Sequence, residues 1–252
     1  MLARANHQAI LLEHDTRVAF NWAWLRRGVL VILIFAVLGW LALLANDPQT
    51  LPIKKIHALG KFIHVNETML RDAVAAKIDG GYFKLDVDEM KNVVEKIAWV
   101  DQASVRRVWP DTLAIQVQEQ QALAKWATGG LVNVRGSIFK PETSSYPKDL
   151  PLFTAPVGMQ EKITQYYLFA KEIFSTMNVN ISEVRMDARR AVSLRLDNGI
   201  EVMLGRDQIE SRLQRLARIY TKVLATRAIE IARLDLRYSN GLAVGWRKPP
   251  VN

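Results

Sequence analysis

Hydrophobic and polar positions divide the chain into one long apolar run and a series of short amphipathic segments. The run is Gly28 to Ala45, eighteen residues without a charge, twelve of them Val, Leu, Ile or Phe. As an α-helix it covers about 27 Å, close to the roughly 30 Å hydrocarbon core of a bilayer. Trp24 and Trp40 stand near its ends, where indole rings favour the membrane interface. At about 0.3–0.6 kcal/mol each, its twelve strongly apolar residues contribute roughly 4–7 kcal/mol toward insertion. A cleaved signal peptide has a shorter apolar core, typically about 7–15 residues, and no small-x-small site precedes Asn46. A retained transmembrane helix over 28–45 is therefore expected. Arg26 and Arg27 abut the run on one side, whereas Asp47 and then Lys54 and Lys55 are the first charges on the other, which predicts a cytosolic tail over 1–27.

Residues 46–52 read as a linker, since Pro48 and Pro52 deny it helix and sheet donors. The periodicity then changes type repeatedly. Ile53, Ile56 and Leu59 indicate a first strand, and Asn66 is placed to cap a helix running to about Lys77, with Leu70, Ala73 and Val74 inward and Gly80–Gly81 as its stop. A second helix over 88–97 presents Met90, Val93, Val94 and Ile97, with Asp86 or Asp88 as its cap. Strands over 100–109 and 113–120 flank a turn at Trp109, Pro110, Asp111 and Thr112. The order strand, helix, helix, strand, strand fills 53–121.

Strands dominate 122–252. The expected elements are a strand at 131–134, a hairpin at Gly136, a Pro/Ser-rich loop over 141–151, a helix over 159–177 and a strand over 181–187. A hairpin over 191–204 turns at Asp197, Asn198 and Gly199. A helix over 207–224 carries the apolar face Ile209, Leu213, Leu216, Tyr220 and Leu224, leaving Arg212, Arg215 and Lys222 as an ordinary solvated face. Strands over 231–238 and 242–246 close the chain around Ser239, Asn240 and Gly241. The fold class is α+β.

Composition narrows the chemistry. No cysteine is present, which excludes disulfides, thiolate metal sites and cysteine nucleophiles. The net charge of +9 is spread along the chain with no block of five like charges, so nucleic acid is not an expected partner. Beyond the apolar run the histidines are His57 and His64, no H-E-x-x-H or G-x-S-x-G motif occurs, and Gly129–Gly130 makes no phosphate loop. No catalytic residue, metal site or cofactor is expected. A membrane-anchored hydrolase is the weaker alternative, with paired carboxylates as its one remaining route.

Val105-Arg106-Arg107-Val108-Trp109-Pro110-Asp111-Thr112-Leu113, continuing through Glu119 to Trp126, resembles the FtsQ/DivIB family of bacterial cell-division proteins. The closing stretch from Asp235 to Trp246 resembles that family's last two strands; its departure is Ser239 and Asn240, where relatives more often carry an acidic residue followed by Ser. The resemblance implies a POTRA-like domain over 53–121 and a mostly-β domain with two helices over 122–252. It implies a non-catalytic division-site scaffold, single-pass in the inner membrane at the septum, with its C-terminal part in the periplasm. The implied partners are FtsB and FtsL, with FtsK, FtsW, FtsI and FtsN as further divisome proteins. By the same resemblance Arg237, Tyr238, Gly241 and Trp246, with Arg189 or Arg190 beside them, form the partner contact, and Val105, Arg107 and Glu119 a recruitment surface. A POTRA-type chaperone or secretion component shares the first domain, but such domains normally precede a β-barrel or repeat.

The residues carry part of that picture themselves. Leu234, Leu236 and Tyr238 alternate onto one face, as do Leu242, Val244 and Trp246. The leucines and Val244 read as core, while Tyr238 and Trp246, amphipathic aromatics near the end of the chain, read as interface anchors with core as the alternative. An edge strand there would accept a partner segment as an added strand, with Arg237, Arg189 or Arg190 pairing acidic residues or remaining solvated.

Overall fold

The computed structural model describes residues 22–45, 52–78 and 82–247. The tail over 1–21, most of the expected linker and the Gly80–Gly81 stop lie outside them. The first element is helix α1, Trp22–Ala45, of which Trp24–Leu44 is long and apolar enough to cross a membrane. It starts ahead of the expected span because Trp22 to Arg27 contains no helix breaker, so Arg26 and Arg27 fall within it.

A three-stranded sheet in the order β1-β3-β2 follows, built from β1 (Lys55–Leu59), β2 (Val100–Val108) and β3 (Thr112–Glu119). β1 runs parallel to β3 and β2 antiparallel to it. Between β1 and β2 lie α2 (Glu67–Ala75) and α3 (Val87–Glu95). Asn66 caps α2 by accepting the Met69 N–H at 2.7 Å, and Asp86, rather than Asp88, caps α3 by accepting the N–H groups of Asp88 and Glu89. Each cap contributes about 1 kcal/mol. Leu70, Val74, Met90 and Val94 are buried, as are Leu113, Ile115 and Val117 on the central strand. Ala73 and Val93 are only half-buried, since short helices narrow the apolar stripe that the core can cover.

The remaining strands form one nine-stranded sheet in the order β12-β11-β10-β9-β8-β7-β4-β5-β6. They are β4 (Ala122–Trp126), β5 (Leu131–Asn133), β6 (Ile138–Phe139), β7 (Leu152–Thr154), β8 (Ile181–Met186), β9 (Val192–Leu196), β10 (Glu201–Gly205), β11 (Ile231–Asp235) and β12 (Ala243–Trp246). Helices α4 (Gln160–Ser175) and α5 (Ile209–Ile219) supply Ile163, Tyr167, Phe174, Leu213 and Leu216 to a core shared with Phe153, Val184, Leu194, Val202 and Leu234. Two expected boundaries shift. The helix expected to reach Leu224 ends at Ile219 and passes into a π-helical turn over Tyr220–Leu224 and a 3-10 stretch over Ala225–Glu230; Tyr220 and Leu224 stay buried while the backbone widens around them. The strand expected to reach Tyr238 ends at Asp235, where the chain leaves the ladder for the turn to β12.

The sheet's other face is polar and patterned. Register aligns Glu183, Arg195, Glu201 and Arg233 across β8, β9, β10 and β11, alternating in sign. Arg195 lies 3.5 Å from Glu183, and Arg233 lies 3.0 Å from Glu201. Each opposite-charge pair contributes roughly 0.2–1 kcal/mol, and together they fix the register against slippage.

Side chains from both domains meet where β3 leads into β4. The Trp99 ring stacks on His64 at 3.6 Å, meets Phe139 edge-on at 5.2 Å, and donates its indole N–H to Ser145 Oγ at 2.9 Å. Buried Asn133 donates to Gln120 Oε1, and Arg135 pairs with Asp101.

Candidate partner-binding edge

β12 is the outermost strand on its side of the nine-stranded sheet, and β11 is its sole strand neighbour among the described residues. Its outer rim of backbone N–H and C=O groups is thereby open to another strand. Asp235 pairs with Ala243 at the start of β12, and Ile231 with Trp246 at its end. The turn between β11 and β12 therefore lies at one end of the edge and Trp246 at the other.

That turn is held from α5. Arg215 donates to the carbonyl oxygens of Leu236 at 2.9 Å, Tyr238 at 2.8 Å and Ser239, and Arg212 donates to Leu204 O and, at 3.4 Å, to Arg237 O. Gly205 makes room for this, because a Cβ there would lie 2.7 Å from the Arg212 guanidinium. Arg212 and Arg215 thus depart from the expected solvated face. Both are half-buried beside Leu213 and Leu216, and their carbonyl acceptors lie more than twenty residues away, apart from Leu204. The legible signal was their position flanking the apolar stripe, where an arginine stem is covered and its head reaches outward.

Tyr238 sits in the turn, 59% exposed, rather than on a strand face with Leu234 and Leu236, which are fully buried. Its carbonyl is fixed by Arg215 while its ring is exposed to solvent. Gly241 lies in the same turn with no neighbouring atom close to where a Cβ would point. Arg237 forks onto Asp235, with 2.6 Å between Nη2 and Oδ2, and its own backbone N–H also donates to that carboxylate. The Arg237 hydrogen bonds outweigh burial and hold the Asp235 carboxyl below its ordinary pKa. Trp246 is 47% exposed, with the Arg227 guanidinium 4.3 Å from its ring centroid. Val244 is partly buried against the core.

Arg189 and Arg190 occupy the turn between β8 and β9, which Asp187 closes by accepting the N–H groups of Arg189 and Ala191 at 2.8 Å. β9 is antiparallel to β10 with Val192 opposite Gly205, and β11 is parallel to β10. These two arginines consequently share an end of the sheet with Arg237, Tyr238 and Gly241. They line an open groove of about 790 Å³ with Arg206, Asp207, Lys162 and Tyr166.

The expected recruitment residues separate. Val105 and Arg107 lie on β2, an edge strand, opposite Ile115 and Leu113. Glu119 faces inward instead: its carboxylate accepts the N–H groups of Ile63, His64 and Val65 at 3.0, 3.0 and 2.7 Å. Burial raises its pKa, but the bonds from Val65, Ile63 and His64 prevail and hold it below the ordinary value. Among the described residues no group of three or more His, Asp or Glu side chains is arranged to hold a metal ion.

Comparison with known proteins decides the family. Residues 51–120 match the family model described as POTRA domain, FtsQ-type, and residues 122–237 the one described as Cell division protein FtsQ/DivIB, C-terminal. The chain belongs to the FtsQ/DivIB family. It is 36% identical to the Cell division protein FtsQ of Allochromatium vinosum over 87% of each chain. It is 32% identical to that of Nitrosospira multiformis over 94% of this chain and 97% of the relative, and 30% identical to that of Coxiella burnetii over 86% and 92%. The FtsQ-type POTRA match covers the three-stranded sheet with α2 and α3, and the FtsQ/DivIB match covers the nine-stranded sheet up to Arg237. This is a cell-division protein that takes part in the divisome with other division proteins.

Proposed function

We propose that the chain is a non-catalytic adaptor whose β12 edge takes an extended segment of FtsB as a further strand, with FtsL alongside, and so links early divisome proteins to septal peptidoglycan synthesis. The observation that carries the reading is the open rim of β12, flanked by exposed Tyr238 at one end and Trp246 at the other. Strand addition draws affinity from main-chain hydrogen bonds and specificity from such flanking side chains. Arg189 and Arg190, on the same end as Tyr238, offer charge to acidic residues of the partner. Val105 and Arg107 on the β2 edge serve recruitment, with FtsK, FtsW, FtsI and FtsN as candidate partners. The folded domains lie in the periplasm, with Arg26 and Arg27 setting the orientation of α1 in the inner membrane.

The test is affinity for purified FtsB measured on the full-length chain. Tyr238→Ala and Trp246→Ala should each weaken binding by about 2 kcal/mol, roughly 30-fold, with unchanged urea denaturation. Wild-type affinity in both variants rules the edge out. A periplasm-dependent reporter fused after Asn252 should be active, and cytosolic activity would reverse the orientation.

A further inference from the structure

The most exposed aromatic of the three-stranded sheet has no part in the edge just described. Trp109, at the tip of the β2–β3 hairpin, is 73% exposed, with Val108 half-exposed beside it. Four basic residues surround this tip in register: Arg106 and Arg107 precede it on β2, and Lys55 pairs with Thr112 on the far side of the turn. Lys54 is bound to the tip itself, donating its backbone N–H to Asp111 O at 2.9 Å. Asp111 is the single acidic residue of that set, and its carboxylate accepts the Thr112 hydroxyl at 3.1 Å.

The chain reaches this tip directly after its apolar helix. From Ala45, the last residue of α1, to Lys54 it extends at most about 30 Å at roughly 3.3–3.6 Å per residue. The hairpin tip is therefore tethered to the bilayer that α1 is suited to cross, on the side where that helix ends. Indole rings partition to the headgroup region, and juxtamembrane lysines and arginines are drawn to anionic lipid within a Debye length. Neither signal anchors a domain strongly alone, but the tether holds the local lipid concentration high.

We infer that the β2–β3 tip is a membrane-docking element: Trp109 inserts into the headgroup region of the same bilayer while Lys54, Lys55 and Arg106 engage anionic lipid headgroups. The inference goes beyond the partner reading and requires only that α1 spans the bilayer. Docking would restrict rotation of the domain about its tether and present β2 at a fixed inclination to the membrane surface.

Full-length protein carrying fluorotryptophan, reconstituted in nanodiscs of phosphatidylglycerol and phosphatidylethanolamine, provides the test by fluorine NMR. The Trp109 resonance is assigned as the one missing in Trp109→Phe. It should be broadened by spin-labelled lipid and shielded from an aqueous paramagnetic agent, while Trp246 should respond in the opposite way. Shielding of Trp109 should be lost in phosphatidylcholine nanodiscs and in the Lys54→Glu/Lys55→Glu/Arg106→Glu variant. Trp109 accessible to the aqueous agent as fully as Trp246 overturns the docking, as does shielding indifferent to lipid charge. Shielding that persists in lipid-free amphipol assigns the tip to protein contact and equally overturns it. Trp40 reports separately on the helix: if it is water-accessible too, the spanning assignment of α1 has failed, whereas accessibility of Trp109 alone leaves that assignment standing.

Discussion

Two irregular segments of this molecule are held by opposite means. The loop over Ile63–Val65 is gathered by one anion, Glu119, which accepts three backbone N–H groups; the turn over Leu236–Ser239 is gathered by one cation, Arg215, which donates to three backbone carbonyls. Both solve the same problem, since irregular backbone has no ladder partner and its polar groups need another. They differ in exposure and in the sign of the charge. Glu119 has a side chain only 9% exposed, beside the stacked His64–Trp99 pair at the domain junction. Arg215 is half-buried on α5, and its bonds to Tyr238 and Ser239 lie at the exposed side of the turn. The clamp at the junction is therefore the acid-sensitive one, through the lowered pKa of Glu119.

Glu119→Ala gives the largest expected effect. It leaves three N–H groups pointing into a partly buried hollow, and loss of bonds to a charged acceptor should cost about 3 kcal/mol in urea denaturation. Glu119→Gln, which keeps one acceptor oxygen, should cost about half as much. Equal stability of Glu119→Ala and wild type would mean that water replaces the carboxylate, and the contrast with Arg215 would collapse.

Arg215→Ala comes next, at about 1–2 kcal/mol, because the freed carbonyls of Tyr238 and Ser239 are open to solvent and recover part of their hydrogen bonding. Its sharper signature is local: amide exchange should accelerate over 236–241 and leave β9 and β10 unchanged. Exchange that rises uniformly would show that Arg215 supports the whole domain instead of the turn.

Acid separates the two segments without mutation. The Glu119 carboxyl lies below its ordinary pKa of 4.5, so its stabilisation is complete above about pH 4.5 and is lost as pH falls through the lowered folded value. Asp235, held down chiefly by Arg237, follows the same sign from the lower ordinary value of 3.8, and its pair with an exposed arginine contributes at most about 1 kcal/mol. Stability should thus fall first at the junction on acidification from pH 5, and Glu119→Gln should flatten most of that dependence. An undiminished slope in the variant would assign the acid sensitivity elsewhere.

This pair of segments also marks where sequence reading stops. The helix cap at Asn66, the cap at Asp86 as one of two candidates, and the Asp197-Asn198-Gly199 hairpin were legible, because each is encoded within a few residues, whereas the expected alternation of the last strands fails at Tyr238, which lies in the turn. The clamps were not legible. Arg215 and its acceptors are separated by 21 to 24 residues, and Glu119 and its donors by 54 to 56, so nothing local identifies the acceptors or donors, and the place of Arg215 beside the apolar stripe of α5 is the one local hint. β7 escaped for a related reason: Leu152–Thr154 is three residues long after a Pro-rich loop and exists by pairing in parallel with both β4 and β8. The edge position of β12 was anticipated from its place at the end of the chain, whereas its two-ended arrangement, with Tyr238 and Trp246 at opposite ends, needed the register.

The far end of β12 supplies the smallest effect and a control for the comparison. The Trp246 ring lies against the Arg227 guanidinium, which is itself paired with Glu230 at 2.5 Å, while the backbone beside it is held by Arg247, which donates to Ile231 O at 3.0 Å and Asn198 O at 2.8 Å. A cation–π contact at so exposed a site contributes about 0.5–1 kcal/mol. A double-mutant cycle between Arg227→Ala and Trp246→Ala should return a coupling of that size in urea denaturation. Arg227→Ala alone should weaken FtsB binding by less than about 1 kcal/mol, since the indole loses a neighbour but remains at the edge, whereas Trp246→Ala removes the anchor itself. A coupling near zero would mean that the indole is placed without Arg227, by the backbone pairing of Trp246 with Ile231 and the Arg247 bonds to Ile231 and Asn198 alone.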